Sequence, residues 1–243
     1  MIPKIIHQIW IGWNNMKNDY INFSKGWIDL HPDFQYKLWG DTNINELKYL
    51  DLKKLKYCKN ITEKVDYIRI CILLEIGGLY IDLDFECCKN MSSLLEDCKL
   101  IIWQEGPDIL SNAFIGCEPE NEIINEIYCN FDKIIHKKRV PTRIKTGPIF
   151  VSKIINKNKD KIKILPGHYL YSEYWNNIYA AKINPGEVFA IHKYDFSGEK
   201  YFISKKIFNF KKKISNFWLG LITCRIYQKI SNLLNYLRLI LDI

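Results

Sequence analysis

VDYIRICILLEIGGLYIDLDFE, residues 65–86, joins two patterns of different period at a pair of glycines. Before Gly77, the apolar residues Val65, Ile68, Ile72 and Ile76 recur at three- and four-residue steps, the repeat of a helix face. Asn60 and Glu63 stand in capping-box spacing just upstream, so the pattern predicts a helix over 60–76 that Gly77 stops. After Gly78 the period is two. Leu79, Ile81, Leu83 and Phe85 share one face of a strand over 79–86, and Tyr80, Asp82, Asp84 and Glu86 share the other. On the helix, Asp66, Arg69 and Leu73 form a second stripe, which puts a carboxylate and a guanidinium on one face. Helix and strand joined in this way point to an α/β fold.

The flanking sequence agrees. Residues 2–11, IPKIIHQIWI, form a β-rich apolar run ended by Gly12, as expected of a central strand; 34–39 is a second extended stretch, and 19–30 between them reads as a helix with Tyr20, Phe23 and Trp27. His7, with apolar neighbours on both sides, reads as a core histidine. Downstream, 100–103 and 113–116 read as short strands and 122–136 as a helix, while Thr146-Gly147-Pro148 is a turn leading into the apolar 149–155. No boundary interrupts this pattern, so one α/β domain is expected over 1–204. Beyond it, Leu219, Ile222, Ile226, Ile230, Leu233 and Leu237 repeat at helical steps with polar residues between them, which predicts a basic amphipathic helical tail over 205–243 and not a membrane-crossing span.

The chain has 243 residues, 48% of them hydrophobic and 14% aromatic, which supports a substantial core and excludes a disordered protein. Its net charge of +8 is uneven, because eight basic residues and one acid fall after residue 201. The near-neutral remainder argues against a nucleic-acid partner, and the tail fits an anionic membrane surface. Eight cysteines without a CxxC pair, in a chain whose first residues already read as a strand and not as a signal peptide, fit a reduced cytoplasmic protein, with the tail reaching the inner face of the membrane. A zinc site is not expected.

Asp82 and Asp84, two apart on one strand face, can hold a divalent cation through hard oxygen ligands and leave positions for phosphate oxygens; a solvated strand edge would show the same pattern. Asp66 and Arg69 are likewise open to reading as an ordinary i, i+3 helix pair. The strings IPKIIHQIWIG at 2–12, HPDFQYKLW at 31–39 and VDYIRICILLEIGGLYIDLDFECCKNMSSLL at 65–95 together resemble the DXD-motif glycosyltransferases of family 32. That family includes bacterial capsular and lipopolysaccharide sugar transferases and fungal initiating α-1,6-mannosyltransferases, and it is distantly similar to the glucosyltransferase domains of large clostridial toxins. SNAFIGCEPEN at 111–121 and TGP at 146–148 extend the resemblance through most of the first 200 residues.

The resemblance implies a GT-A fold, with a Rossmann-like domain that binds a nucleotide-sugar and manganese or magnesium. By position, Asp84 would ligate the metal, Asp82 would meet the ribose or the metal shell, and Asp66 and Arg69 would hold donor-sugar hydroxyls. Tyr80 would lie beside the donor, Trp10 would stack on the nucleobase, and Asn112 would sit near the sugar. His192, in AIHKYDFSGEKY at 190–201, would be a third metal ligand or a diphosphate contact; Ser197 would close on the donor, although Gly198 follows it where the family often has tryptophan. Glu105 and Asp108 are the nearest acids if the acceptor needs an orienting group. The implied function is metal-dependent retaining transfer of a hexose or N-acetylhexosamine from a nucleotide-diphosphate sugar, a UDP-sugar ahead of GDP-mannose, to a glycan or glycolipid. Two alternatives remain: a non-catalytic nucleotide-sugar-binding relative, and a haloacid-dehalogenase-like phosphatase, whose Thr or Val two residues past the second aspartate is Glu86 here.

Overall fold

The computed structural model describes residues 1–12, 15–106, 108–172 and 185–193. The chain opens with β1 (Ile5–Ile9), α1 (Asn18–Leu30) and β2 (Gln35–Trp39), then a short α2 (Leu52–Leu55) and the long α3 (Ile61–Ile76). The strands β3 (Gly78–Ile81), β4 (Phe85–Cys87), β5 (Leu100–Gly106) and β6 (Ile109–Cys117) follow, and then α4 (Glu122–Ile134), α5 (Thr142–Lys145) and α6 (Pro148–Ile155). Three short strands close the described chain: β7 (Lys163–Leu165), β8 (Leu170–Ser172) and β9 (Ala190–His192). The apolar 149–155 is thus the helix α6, with Pro148 in its first turn, where a missing N–H costs no hydrogen bond.

Six strands form one sheet in the order β2-β1-β3-β6-β5-β7, and β4-β9-β8 form a second. β1 is parallel to both β2 and β3, whereas β6 runs antiparallel to β3 and β5. Alternation along the strands feeds two cores. Ile6, Leu79, Ile81, Ile101 and Phe114 pack with Trp27 of α1 on one face of the large sheet; Ile9, Tyr80, Ile102 and Ile115 pack with α3, α4 and α6 on the other. α3 is buried on nearly every side, which explains its apolar residues outside any single stripe. Asn60 caps it, its side chain accepting from Glu63 N at 2.9 Å.

The continuous strand expected over 79–86 is broken. β3 ends at Ile81, the chain turns through Asp82–Asp84 with Phe85 N bonded to Asp82 O, and Phe85 then enters the second sheet opposite His192. Continuing straight on would bury two carboxylates in the middle of a sheet covered on both faces, and the turn avoids that cost. Leu79, Ile81 and Phe85 still reach one core, so the twofold alternation survives the break.

The glycine pair is required by close approach. Both residues have positive φ, and a Cβ on Gly77 would come within 2.7 Å of Cys117 O, while one on Gly78 would come within 2.7 Å of Ile5 O and 3.0 Å of His7 Nε2. His7 fills the space behind them. The Trp39 indole N–H donates to its Nδ1 at 3.1 Å, and Gly77 O lies 3.0 Å from Nε2, so the ring proton sits on Nε2. Burial lowers its pKa to about 4.

Residues 1–194 form one compact unit. The expected tail, 205–243, lies outside the described residues, as does Ser197. The described cysteines are free thiols, and among the described residues no helix is long and apolar enough to cross a membrane.

His7 makes stability depend on pH. Between pH 6.5 and about 4 the unfolded histidine takes up a proton that the folded one refuses, so stability is full above 6.5 and falls as the pH drops towards 4. The loss attributable to this residue is about 3 kcal/mol. Urea unfolding of the wild type and His7→Gln across that range is expected to show a shallower acid-side decline in the variant; parallel declines would refute this assignment.

Candidate active site

β1 is the point where the sheet changes direction, since the chain builds β2 on one side of it and β3 on the other. Open α/β sheets bind ligands beyond the carboxyl ends of strands at such a point. Trp10 follows β1 there, half-buried, its ring centre 5.7 Å from that of Tyr20 in an edge-to-face contact. Asp82 follows β3. Because α3 runs antiparallel to β3, the first turns of α3, with Asp66 and Arg69, face the same edge.

Arg69 joins these elements. Its Nη2 lies 3.1 Å from Asp66 Oδ1 and 3.2 Å from Asp82 Oδ1, its Nη1 donates to the backbone oxygen of Asn112, and its guanidinium sits 4.5 Å from the centre of the Tyr80 ring. The Tyr80 hydroxyl donates to Asp82 Oδ1 at 2.6 Å. Tyr80 is only 1% exposed, so it touches Asp82 from within the core. Asp66 accepts from Asn112 Nδ2 and from Thr146 Oγ1, each at 2.7 Å. Burial raises the Asp66 pKa, and Arg69, Thr146 and Asn112 hold it down. Burial likewise pushes Asp82 up to about 6, with Arg69 opposing and the neighbouring Asp84 adding to the rise.

Asp82, Asp84 and His192 offer three ligand atoms within 4.8 Å of one another. His192 Nε2 lies 3.2 Å from Asp84 Oδ1, and its ring stacks on Phe85 at 4.1 Å between centres. The stack and the β4–β9 pairing fix the imidazole opposite the turn that carries the aspartates. Two carboxylate oxygens and one imidazole nitrogen suit a borderline-hard divalent cation and leave coordination positions open. Glu86 is not in this set; it pairs with Lys193 at 2.8 Å.

Three contributors escaped the sequence reading. Gln8 takes hydrogen bonds from Ser24 and Tyr36, each at 2.7 Å, and turns its amide towards Asp82 O. Thr146 lies within the quoted TGP, which the sequence reads as a turn and as part of the resemblance, with no contact to Asp66 indicated. Lys145 beside it forms a buried ion pair with Glu63 at 2.8 Å. Glu63 therefore does not close the capping box on Asn60; its carboxylate accepts instead from Lys59 N, Thr142 Oγ1 and Lys145 Nζ. Glu105 and Asp108 sit at the tip of the β5–β6 hairpin, which runs past the carboxyl end of β3.

With this geometry in view, residues 18–103 match a family described as a glycosyltransferase sugar-binding region containing the DXD motif. The chain is 32% identical over 159 residues to inositol phosphoceramide mannosyltransferase 3 of Schizosaccharomyces pombe, covering 62% of this chain and 44% of that protein. It is 30% identical to a mannosyl phosphorylinositol ceramide synthase of Saccharomyces cerevisiae, covering 63% of this chain and 42% of that one. The chain spans about half the length, or less, of these relatives. Among solved structures, the PaToxG glycosyltransferase superposes with a TM-score of 0.55 at 20% identity, over 65% of this chain and 69% of that one. The α-toxin catalytic domain from Clostridium novyi superposes with a TM-score of 0.50 at 12% identity, over 67% and 74%. The fold shared with these structures is GT-A.

The buried Glu63–Lys145 pair fastens α5, and with it Thr146, to α3. Lys145→Met strands the Glu63 carboxylate in the core and is expected to cost about 3–5 kcal/mol in urea unfolding. In Glu63→Gln/Lys145→Met no charge is stranded, and more than half of that loss should return.

Proposed function

We propose that this chain is a metal-dependent, retaining glycosyltransferase that moves a hexose from a nucleotide-diphosphate sugar to a hydroxyl of a glycolipid or glycan. The observation that carries the reading is the Asp82–Asp84–His192 cluster one hydrogen bond away from the Arg69–Asp66–Asn112 network, at the carboxyl edge of a GT-A sheet. Three aspartates against one guanidinium leave two formal negative charges, the complement of a divalent cation. Asp82, Asp84 and His192 would hold it, manganese being the first choice for a mixed oxygen and nitrogen set and magnesium the second. When bound, the metal supplies Lewis-acid neutralisation of the leaving diphosphate.

The protein side of the chemistry is positional. Arg69 and Asp66, both buried, fix Asp82 and the Asn112 segment of β6 at the edge where the sugar would lie, and Asn112, Thr146 and Tyr80 keep them from turning. Trp10, on the neighbouring strand end, offers its ring to the base. In a retaining transfer without a covalent intermediate, the acceptor hydroxyl attacks from the face that the diphosphate leaves, and a departing phosphate oxygen takes the proton. No carboxylate base is then required of Glu105 or Asp108.

Two relatives are named as acting on inositol phosphoceramide or as making its mannosyl derivative, which favours a mannose donor and an inositol-phosphate lipid acceptor over the UDP-sugar expected from the sequence. The test is donor hydrolysis without acceptor. Wild-type protein with manganese and a panel of GDP- and UDP-sugars is expected to release nucleoside diphosphate from one donor, GDP-mannose first. Asp84→Ala should lower the rate by about 100-fold or more. No release and no thermal shift with any nucleotide would leave the reading without support, and a thermal shift without turnover would favour a non-catalytic nucleotide-sugar-binding protein.

A further inference from the structure

The near-neutral body of the chain is not neutral everywhere. Two lysine-rich segments far apart in sequence, 53–59 and 133–143, are brought side by side. Tyr57 meets the His136 ring at 4.2 Å between centres, Lys145 Nζ reaches Tyr57 O at 3.3 Å, and Asn60 Nδ2 reaches Thr142 Oγ1 at 3.2 Å. The resulting face exposes Lys53, Lys56, Lys59, Lys137, Lys138 and Arg139, and none of the six takes part in an ion pair among the described residues. Neither segment contains an acid, and the flanking acids are already engaged: Glu63 is buried against Lys145, Asp132 pairs with Lys54 at 2.5 Å, and Asp51 caps α2.

Amid these charges stand two large apolar side chains, Leu52 and Tyr57, each 51% exposed. A face that served only to solvate the fold would have no use for them. We infer that this face docks the protein on an anionic lipid bilayer. Lysine and arginine side chains gain from the negative surface potential of phospholipid headgroups, and Leu52 and Tyr57 gain by entering the boundary between headgroup and acyl chain. A nucleic-acid backbone would reward the charges but give Leu52 nothing.

The placement gives the docking a consequence. The face adjoins the start of α3 and the α5 helix, and both lead directly to Asp66, through α3 itself and through Thr146. Docking there turns the carboxyl edge of the sheet towards the membrane. The inference does not depend on which sugar is moved, or on turnover at all, since the readout is lipid binding.

The experiment is co-sedimentation of the full chain with phosphatidylcholine vesicles, with and without phosphatidylserine, at low and high salt. Wild-type protein is expected to bind only the phosphatidylserine vesicles and to be released by salt. Lys137→Gln/Lys138→Gln/Arg139→Gln should weaken binding on the order of 100-fold. A control of equal charge, Lys157→Gln/Lys159→Gln/Lys161→Gln, takes exposed lysines from beside the start of α4, about one helix length of 20 Å from the basic face, and should change binding by about twofold at most. Leu52→Gln should weaken binding to phosphatidylserine vesicles at low salt while leaving the salt dependence unchanged. Equal losses in the two triple variants would reduce the effect to net charge and overturn the proposal. So would wild-type vesicle binding in the first triple variant, or a loss confined to binding of a single-stranded oligonucleotide. Every substituted residue is exposed, so unchanged thermal unfolding of each variant verifies that folding is not what is being read.

Discussion

The buried guanidinium of Arg69 is the group on which the site depends. Taking such a charge out of water costs several kcal/mol, and only well-placed partners offset it. Here the partners come from three elements: Asp66 from the same helix, Asp82 from the end of β3, and the backbone oxygen of Asn112 from β6. Each partner is itself held, Asp66 by Asn112 and Thr146, and Asp82 by Tyr80. The network therefore has no loose member, and its cost is met only while α3, β3 and β6 keep their relative positions. Fold and site share one constraint.

That constraint explains the glycine pair. Asp66 and Asp82 can meet one guanidinium only if α3 turns back tightly onto β3, and the turn leaves no room for a Cβ at residue 77 or 78. The same closeness puts β3 beside β1 at the switch in strand order, with His7 sealed behind it. A histidine whose two nitrogens are both spoken for, one by an indole donor and one by a carbonyl, tolerates no second proton. The core on that side is thus matched to neutral pH by the geometry that builds the site.

What could be read in the sequence follows from the range of the interactions. α1, α3 and the strands around them were legible because apolar periodicity is local, and Asp66 with Arg69 because i, i+3 neighbours share a helix face. The break after Ile81 was not legible, since alternation continues through the turn and only pairing with β9, more than a hundred residues on, ends the strand. Thr146 on Asp66 and Lys145 on Glu63 span separations of 80 and 82 residues, which no local pattern marks. Charge behaved in the same way. A near-neutral total concealed a one-sided distribution, because the acids flanking the lysines are consumed in buried or paired positions.

α5 lies where these threads cross. It is too short to be stable alone, so its position comes from the buried Glu63–Lys145 pair and from Thr142, which lies within reach of both Asn60 and Glu63. On one side its next residue, Thr146, completes the hydrogen bonding of Asp66; on the other its exposed Arg143 continues the basic face. A buried ion pair is a weak source of stability beside apolar packing, but it demands one arrangement of the chain. Its location between a network that needs fixed geometry and a surface that carries like charges accounts for its presence. Without a fixed α5, repulsion among the neighbouring lysines would act directly on the segment that supplies Thr146, and Asp66 would lose the hydroxyl that orients it.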